Sequence, residues 1–328
     1  MEDIARLAGV SESTVSRALA GKSVVSEKTR AHIQKIASDL GYRVNPAARS
    51  LRSRRTQVVS VAVPLVHEQD QHLSDPFMML MLAHLADELT ERGYSMLLSR
   101  IPTHDEGWIE HLVRPGRADG VVLVGQSLEH ESINRAAHAG VPLVVWGAKM
   151  ENQTYVSVGS DNRHGGLQAG RHLAALGCRR IAFLGDERLP EIGARFEGYR
   201  EALQEHGLAA DPRLHVRTHF IAETAYDAVK AMLAKGAEPD GIFAASDVIA
   251  ISAVRALAEA GRRVPLDVSV VGYDDIPLAR HTHPTLTTVR QDIQLGARLL
   301  TEALLGMIEG HPGTSVEFTP ELIVRESA

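Results

Sequence analysis

The sequence predicts a small all-α head followed by an α/β core of two doubly wound parallel-sheet subdomains. Residues 1–56 contain short amphipathic helical patterns that end at glycines, whereas the rest of the chain alternates apolar runs of about four to eight residues with helical patterns. A chain of 328 residues is also too long to fold around one ordinary hydrophobic core. We therefore place the head at residues 1–44, a linker at 45–56 and the core at 57–328.

The composition excludes several kinds of protein. With 44% hydrophobic and 23% charged residues the chain has an ordinary globular composition. No apolar run reaches the roughly 18 residues of a membrane span, and we find no secretory signal at the start of the sequence. The single cysteine, Cys178, excludes an internal disulfide framework and a cysteine zinc site. His281 and His283 have no helical HxxxH or cysteine partner, so we predict no metal. We also predict no cofactor. The missing signal and the single cysteine favour a cytoplasmic protein.

The charge is unevenly distributed along the chain. Residues 1–56 hold 11 Lys and Arg against 5 Asp and Glu, a net charge of +6, and the remaining residues bring the total to −6. A basic head on an acidic body is typical of a nucleic-acid-binding module joined to another domain. A solvated pair of N-terminal helices is the alternative that charge alone leaves open.

The head has the pattern of a helix-turn-helix. A first helix, EDIARLA, ends at Gly9, Ser11 is a natural N-cap for the second helix, and a third begins near Ser26 and ends at Gly41. Two short helices joined by a glycine-containing turn, with a third helix to complete the core, fit this motif. The predicted inward residues of the second and third helices are Val15, Ala18, Leu19, Ile33, Ile36, Ala37 and Leu40. The predicted outward residues of the second helix are Glu12, Ser13, Ser16 and Arg17.

The segment YRVNPAARSLRSRRTQ predicts a further short helix that begins at Asn45. Ala48 and Leu51 lie on its apolar face, surrounded by arginines. Such a helix is too short to be stable alone in water, so it forms only when something packs on it. A leucine in a marginal basic helix can wedge into a DNA minor groove. An ordinary linker with solvated arginines is the alternative.

These segments together resemble the LacI/GalR family of bacterial transcription regulators. The resemblance rests on EDIARLAGVSESTVSRALAG and VSEKTRAHIQKIASDLGYRVNPAARSLR, and it continues over essentially the whole chain. It implies that Glu12, Ser13 and Arg17 read bases in the major groove, and that Leu51 inserts into the minor groove from a hinge helix that folds on DNA. The predicted DNA-contacting set is Ser11, Glu12, Ser13, Thr14, Ser16, Arg17, Asn45, Ala48, Leu51 and Arg52.

One departure from the family pattern concerns the start of the chain. Family members usually carry several residues before the first helix, including a threonine that touches a phosphate, whereas here Met1 directly precedes that helix. Either the chain starts further upstream, or this phosphate contact is missing. Losing it would weaken DNA affinity without changing the sequence preference, since phosphate contacts carry no base information.

The core pattern predicts two parallel sheets, because continuous apolar strands that alternate with helices are buried on both faces. We assign residues 57–157 and 291–318 to one subdomain and residues 158–290 and 319–328 to the other, in the manner of a periplasmic-binding-protein-like core. A ligand of such a fold binds between the subdomains, at the carboxyl ends of the strands.

Aromatic, carboxylate, amide and arginine side chains follow the predicted strand ends, and these groups can stack on a sugar ring and hydrogen-bond its hydroxyls. The family resemblance implies that most of them line an effector pocket, and Trp146 and Glu191 depart from common family choices, so we expect them to tune which sugar fits. The alternatives are that Asp274 caps a helix and that Phe77 belongs to the core. The predicted effector-binding residues are Phe77, Trp146, Glu191, Arg195, Phe220, Ser246, Asp274 and Gln291.

Taken together, the sequence predicts a DNA-binding transcriptional regulator and not an enzyme. It contains no GxSxG, Walker A or GxGxxG motif, and a glycosidase pair of Glu191 and Asp274 or a secreted sugar-binding protein fits poorly. We expect a repressor of sugar or glycoside utilisation genes that binds a pseudo-palindromic operator and responds to a sugar-like effector. A purine or another metabolite is the alternative effector. The chain ends in ELIVRESA without a heptad tail, which favours a homodimer over a tetramer.

Overall fold

The structure, a computed structural model, describes residues 1–19, 24–42, 55–64, 73–101, 107–114 and 116–328. The chain divides into two compact units, Met1–Thr56 and Gln57–Ala328.

Three helices form the described part of the first unit: α1 (Glu2–Ala8), α2 (Glu12–Leu19) and α3 (Glu27–Asp39). The left-handed backbone of Gly9, with φ of 66°, ends α1. The Ser11 hydroxyl accepts the N–H of Thr14 at 3.2 Å, and the Ser26 hydroxyl accepts the N–H of Thr29 at 3.2 Å. The predicted N-cap at Ser11 and the predicted start of the third helix near Ser26 are therefore confirmed.

The small core of this unit is formed by one face of each helix. Its buried residues are Ile4, Ala5, Val15, Ala18, Val25, Ile33 and Ala37. The prediction that Leu40 faces inward is wrong: Leu40 is the C-cap of α3 and its N–H still bonds to the carbonyl oxygen of Ile36, but its side chain is 50% exposed at this end of the helix. Tyr42 packs against this core from beyond the helix end.

The second unit contains two six-stranded sheets. The first has the order β11-β5-β4-β3-β1-β2, and its neighbouring strands all run parallel. Its strands are β1 (Val58–Pro64), β2 (Ser95–Ile101), β3 (Gly120–Val124), β4 (Leu143–Trp146), β5 (Val156–Ser160) and β11 (Val316–Phe318). The helices of this half are α4 (Pro76–Glu91), α5 (Trp108–Leu112), α6 (His130–His138) and α11 (Ile293–Ile308).

The second sheet has the order β12-β10-β9-β8-β6-β7. Its strands are β6 (Ile181–Leu184), β7 (His215–Val216), β8 (Gly241–Ala244), β9 (Ser269–Asp274), β10 (Thr287–Arg290) and β12 (Glu321–Ile323). Its helices are α7 (Asn162–Ala175), α8 (Pro190–Glu205), α9 (Ala222–Ala234) and α10 (Asp247–Glu259), with short 3₁₀ turns at Pro212–Leu214 and Pro277–Arg280. Two subdomains built on parallel sheets are thus confirmed, with one exception: β12 runs antiparallel to β10, because the chain enters it directly from β11 of the other sheet.

The chain passes between the sheets three times: after β5, after β10 and between β11 and β12. Apolar side chains fill both faces of the first sheet and surround the second. Since the crossovers join the subdomains at one side, the carboxyl ends of strands from both sheets are brought to a common cleft.

Helices α7 and α8 pack unusually closely in the second subdomain. A Cβ atom on Gly166 would overlap the carbonyl oxygen of Arg195, and one on Gly198 would overlap the carbonyl oxygen of Arg163. The helix backbones are therefore in direct contact, which only glycine allows at these two positions. This contact holds the backbone that carries Arg195 against the start of α7.

Candidate functional site

The cleft between the two sheets contains about 680 Å³ of empty space, which includes open solvent at its mouth. Its described lining residues come from both subdomains: Val63, Pro64, Asp75, Phe77, Met78, Val124, Gly125, Ser127, Trp146, Leu189, Glu191, Ile192, Arg195, Phe220, Asp274 and Gln291.

Seven of the eight residues predicted to bind an effector lie together in this lining: Phe77, Trp146, Glu191, Arg195, Phe220, Asp274 and Gln291. The eighth, Ser246, does not. It follows β8, as expected, but it is buried and its hydroxyl accepts the N–H of Ile249 at 3.3 Å as the N-cap of α10. Capping the helix satisfies a backbone donor that would otherwise be buried without a partner.

Aromatic side chains form one wall of the cleft. Phe77 lies in the first turn of α4, and Trp146 is the last residue of β4, only 5% exposed. Their ring centroids are 6.0 Å apart with a tilt of 43°, and Trp146 also contacts Phe318 at 5.9 Å. Trp146 is thereby fixed between two rings, so the cleft contains a preformed apolar surface of the kind on which a flat ligand face can stack.

A chain of hydrogen bonds connects Asp274, on the polar side of the cleft, to Gln291 and Ser160 where the chain crosses between the sheets. The Ser160 hydroxyl donates to Gln291 Oε1 at 2.6 Å, and Gln291 Nε2 donates to Asp274 Oδ1 at 2.7 Å. Asp274 is the last residue of β9 and has a φ of 111°, while Asp275 has a φ of 53°. Non-glycine residues in such conformations cost free energy and occur where the surrounding structure fixes a functional group. The Asp274 carboxylate is therefore held in one position.

Arg195 is 5% exposed and is also fixed by the protein. Its Nε donates to Asn162 Oδ1 at 2.9 Å, and its Nη1 donates to the carbonyl oxygen of Ala245 at 2.5 Å. The guanidinium lies over the Tyr273 ring, 3.6 Å from the ring centroid. Two of its three nitrogens thus bind acceptors within the protein, and the stacking sets its plane.

Burial shifts the carboxyl groups of the cleft toward their neutral forms. It raises the pKa of Asp274 to about 7, against the opposing effect of Arg195, and the nearby Asp75 raises it further. Burial also raises the pKa values of Asp75 and Glu191. Since each of these groups loses solvation as an anion, the cleft is an environment of low polarity.

The prediction missed several lining residues. Val63, Pro64, Val124 and Gly125 lie at the ends of β1 and β3, so the strand-end rule that located the other residues also applies to them. The apolar residues of α4 and α8 that face the cleft have no such signal, because they have the same composition as core positions.

The residues predicted to read DNA include six on or next to α2. Ser11, Glu12, Ser13 and Arg17 are exposed, and Thr14 and Ser16 are half-buried. The Ser11 hydroxyl contacts the hydroxyls of Ser13 and Thr14 at 2.8 and 2.9 Å, so part of its capacity is used in capping the helix. The other predicted DNA-contacting residues lie outside the described residues: Asn45, Ala48, Leu51 and Arg52.

No helix among the residues that the structure describes is long and apolar enough to cross a lipid bilayer. In this same part of the chain, no group of three or more His, Cys, Asp or Glu side chains is arranged to hold a metal ion.

Comparisons with known proteins match both units. Residues 1–45 match the bacterial regulatory proteins of the lacI family, and residues 171–328 match a periplasmic binding protein-like domain. The transcriptional regulator CelR of Thermobifida fusca is 36% identical over 340 residues, which cover 100% of this chain and 97% of CelR.

Two solved structures are similar over nearly the full length. A complex of CelR with cellobiose has a TM-score of 0.75 and 32% sequence identity, covering 99% of this chain and 98% of that one. The lac repressor dimer bound to operator and the anti-inducer ONPF has a TM-score of 0.85 and 26% identity, covering 99% and 97%. These relatives are transcriptional regulators and not enzymes, as the sequence predicted. The chain belongs to the LacI family of bacterial regulatory proteins and is a DNA-binding transcriptional regulator.

Proposed function

We propose that this regulator represses genes for the use of a sugar or glycoside, and that the sugar binds in the cleft and releases the protein from DNA. The observation that carries the proposal is the pairing of an aromatic wall at Phe77 and Trp146 with fixed hydrogen-bonding groups at Asp274 and Gln291. The relative solved in complex with cellobiose supports the choice of a sugar as ligand.

The two walls match the two kinds of surface that a pyranose presents. The C–H groups on one face of the ring are apolar and pack on an aromatic ring, while the hydroxyls around its edge need polar partners. A buried carboxylate accepts hydroxyl protons in short, charge-assisted hydrogen bonds, which are about twice as strong as neutral ones. Since Asp274 is held by Gln291, a sugar would meet a preorganised acceptor.

A thermal-shift titration tests the ligand class directly. Because a ligand of the folded state raises the melting temperature with its occupancy, we expect cellobiose or a related glucoside to do so in wild type. Trp146→Ala should abolish the shift, and Trp108→Ala, which removes a tryptophan outside the cleft lining, should retain it relative to its own unliganded baseline. A shift produced by purines alone would make this a purine-responsive regulator and contradict the sugar proposal.

We propose that a homodimer places one α2 on each half of a pseudo-palindromic operator, because a twofold protein matches a twofold site. The exposed face of α2 supplies Glu12, Ser13 and Arg17 for the major groove, with Ser11, Thr14 and Ser16 at its edges. On sequence grounds alone, we also propose that residues between Asn45 and Arg52 contact the DNA and that Leu51 inserts into the minor groove.

Arg17→Ala should relax base discrimination at one position of each half-site, since an arginine that reads a guanine edge contributes about 1–3 kcal/mol of discrimination. The measurement is binding to a set of operators substituted one base pair at a time. Arg6→Ala is the matched control, because Arg6 is an exposed arginine on α1 that pairs with Asp3. An equal loss of affinity of Arg17→Ala for every operator would make Arg17 a phosphate contact instead.

A further inference from the structure

The charges of the cleft restrict the chemistry of its ligand. We infer that the effector is an uncharged, unphosphorylated glycoside, and that the cleft rejects the same sugar once it carries a phosphate. The inference rests on the proposed sugar-binding function and narrows it. Three features of the lining support it: the balance of charge, the bonds already made by the arginine and the occupation of two helix N-termini at the cleft.

Carboxyl groups outnumber basic groups in the described lining, and above pH 7 Asp274 is mostly ionised, because its pKa is about 7. Among the described lining residues, Asp75, Glu191 and Asp274 are carboxylates and Arg195 is the one permanent cation. The carboxylates affect one another, since Asp75 opposes ionisation of Asp274. A phosphorylated ligand would bring about two further negative charges at neutral pH into this low-polarity space.

Arg195, the side chain that would otherwise bind a phosphate, is partly occupied by bonds within the protein. Binding of an oxyanion by arginine uses two parallel N–H donors in a fork. Here Nε is bonded to Asn162 and Nη1 to the carbonyl oxygen of Ala245, and the ring of Tyr273 fixes the plane. A side-on bidentate contact with a phosphate uses the single Nε hydrogen, so it would require breaking the buried bond to Asn162 and would leave that amide oxygen without this donor.

The two helix N-termini at the cleft, which are the other common phosphate-binding elements, already hold carboxylates of this chain. The Asp75 side chain accepts the N–H of Met78 at 3.1 Å as the N-cap of α4, and Pro76 removes another donor from that turn. Pro190 likewise begins α8, and Glu191 places its carboxylate in the first turn of that helix. A carboxylate of the protein itself therefore compensates the partial positive charge at each of these two helix N-termini.

The expected discrimination is large. A pair of like charges about 6 Å apart, at an effective dielectric constant of about 20, lowers affinity by about a hundredfold. An uncharged sugar avoids this repulsion and offers hydroxyl donors to the same carboxylates. The reactions that supply the effector must therefore deliver a sugar without phosphoryl transfer, such as hydrolysis of a longer glycan followed by uptake of the unmodified product.

Calorimetric titration of the full-length protein with matched pairs tests the inference. The probes are cellobiose, gentiobiose and trehalose, each compared with its 6-phosphate, at pH 8. At least one uncharged sugar should bind, and its phosphate should bind at least about a hundredfold more weakly. Glu191→Gln should narrow this ratio by about tenfold or more, because it removes one of the three carboxylates. Glu205→Gln, which alters an exposed carboxylate of the same helix that pairs with Arg171, should leave the ratio unchanged.

Binding of a sugar and its phosphate with equal affinity would overturn the inference and leave the sugar-binding function standing, as would tighter binding of the phosphate. Absence of binding by all six compounds, together with binding of a purine, would overturn the inference and the sugar-binding function at once. An unchanged ratio in Glu191→Gln would contradict the electrostatic origin of the discrimination.

Discussion

Gly198→Ala should destabilise the core by about 3 kcal/mol or more, because backbone atoms cannot make room for an inserted methyl group as side chains can. The added Cβ would overlap the carbonyl oxygen of Arg163 on α7, and Gly166→Ala would produce the same conflict with the carbonyl oxygen of Arg195 on α8. Either substitution forces the two helices apart. Urea denaturation of the purified variants, followed by circular dichroism, measures the loss.

Gly306→Ala is the matched control for this prediction. Gly306 lies within helix α11, and nothing is within 4 Å of a Cβ atom placed there. Alanine should therefore stabilise the protein by about 0.5–1 kcal/mol through its higher helix propensity. If Gly198→Ala unfolded at the same urea concentration as the wild type, the close packing of α7 and α8 would be refuted.

The same packing has a functional consequence. Asn162 begins α7 and Arg195 lies in the middle of α8, and the bond between Asn162 Oδ1 and Arg195 Nε is 2.9 Å long. Any separation of the helices lengthens this bond and releases the guanidinium from its fixed plane. Gly166→Ala should consequently weaken sugar binding as well as stability, at temperatures where the variant is still folded.

Asp274→Asn should weaken sugar binding while the protein still folds. We expect sugar affinity to fall by about a hundredfold, since hydrogen bonds from hydroxyls to a charged acceptor contribute about 1.5–3 kcal/mol each. Asparagine retains a carbonyl oxygen for Gln291 and tolerates the positive φ of this position, so the fold should be preserved. The unliganded variant should be more stable than wild type at pH 8, by on the order of a few kcal/mol.

The sign of the stability effect follows from the pKa of Asp274, which rises from 3.8 to about 7 on folding. Between these pH values the unfolded chain has lost the proton and the folded chain keeps it, so the contribution of Asp274 to the free energy of unfolding decreases as the pH rises. Well above pH 7 both states are ionised and the penalty is constant. The stability gain of Asp274→Asn over wild type should therefore grow from about pH 4 to pH 7.

In the wild type, sugar affinity should increase as the pH rises, whereas the contribution of Asp274 to stability decreases. If the sugar binds the carboxylate form, affinity increases by about tenfold between pH 6 and pH 8, because the ionised fraction of a group with a pKa near 7 increases by that factor. Titrations at pH 6, 7 and 8 should show this increase in wild type and in Asp267→Asn, which alters a carboxylate outside the cleft lining. A pH-independent affinity in wild type would rule out Asp274 as the charged acceptor.

The sequence was sufficient to predict the features that follow from local rules. Helix caps at Ser11 and Ser26 and glycine ends come from backbone chemistry, and the strand-end rule together with the family resemblance predicted that Phe77, Asp274 and Gln291 line one cleft. The same rule placed Ser246 at a strand end as well, but could not determine that the helix uses its hydroxyl as a cap.

Local sequence rules could not predict the features that depend on packing between distant segments. The pattern of α3 includes Leu40, yet this C-cap residue lies where the small core ends, and its side chain is 50% exposed. Nothing in the sequence indicates that Gly166 and Gly198 meet opposing carbonyl groups, because the contact exists only when α7 and α8 cross. The occupation of Arg195 by Asn162 and Ala245 likewise requires three separate elements to meet.

The most direct test of the account is the effect of the sugar on DNA binding. An operator duplex would be selected by the wild-type protein from a random pool, and its affinity would be measured by fluorescence anisotropy with and without a saturating amount of whichever uncharged glycoside binds in the titrations. The account predicts that the sugar weakens operator binding by at least about tenfold, the low end of typical allosteric coupling, and that the effect disappears in Asp274→Asn. Unchanged operator affinity in wild type, with the sugar bound, would contradict the claim that the cleft controls the head.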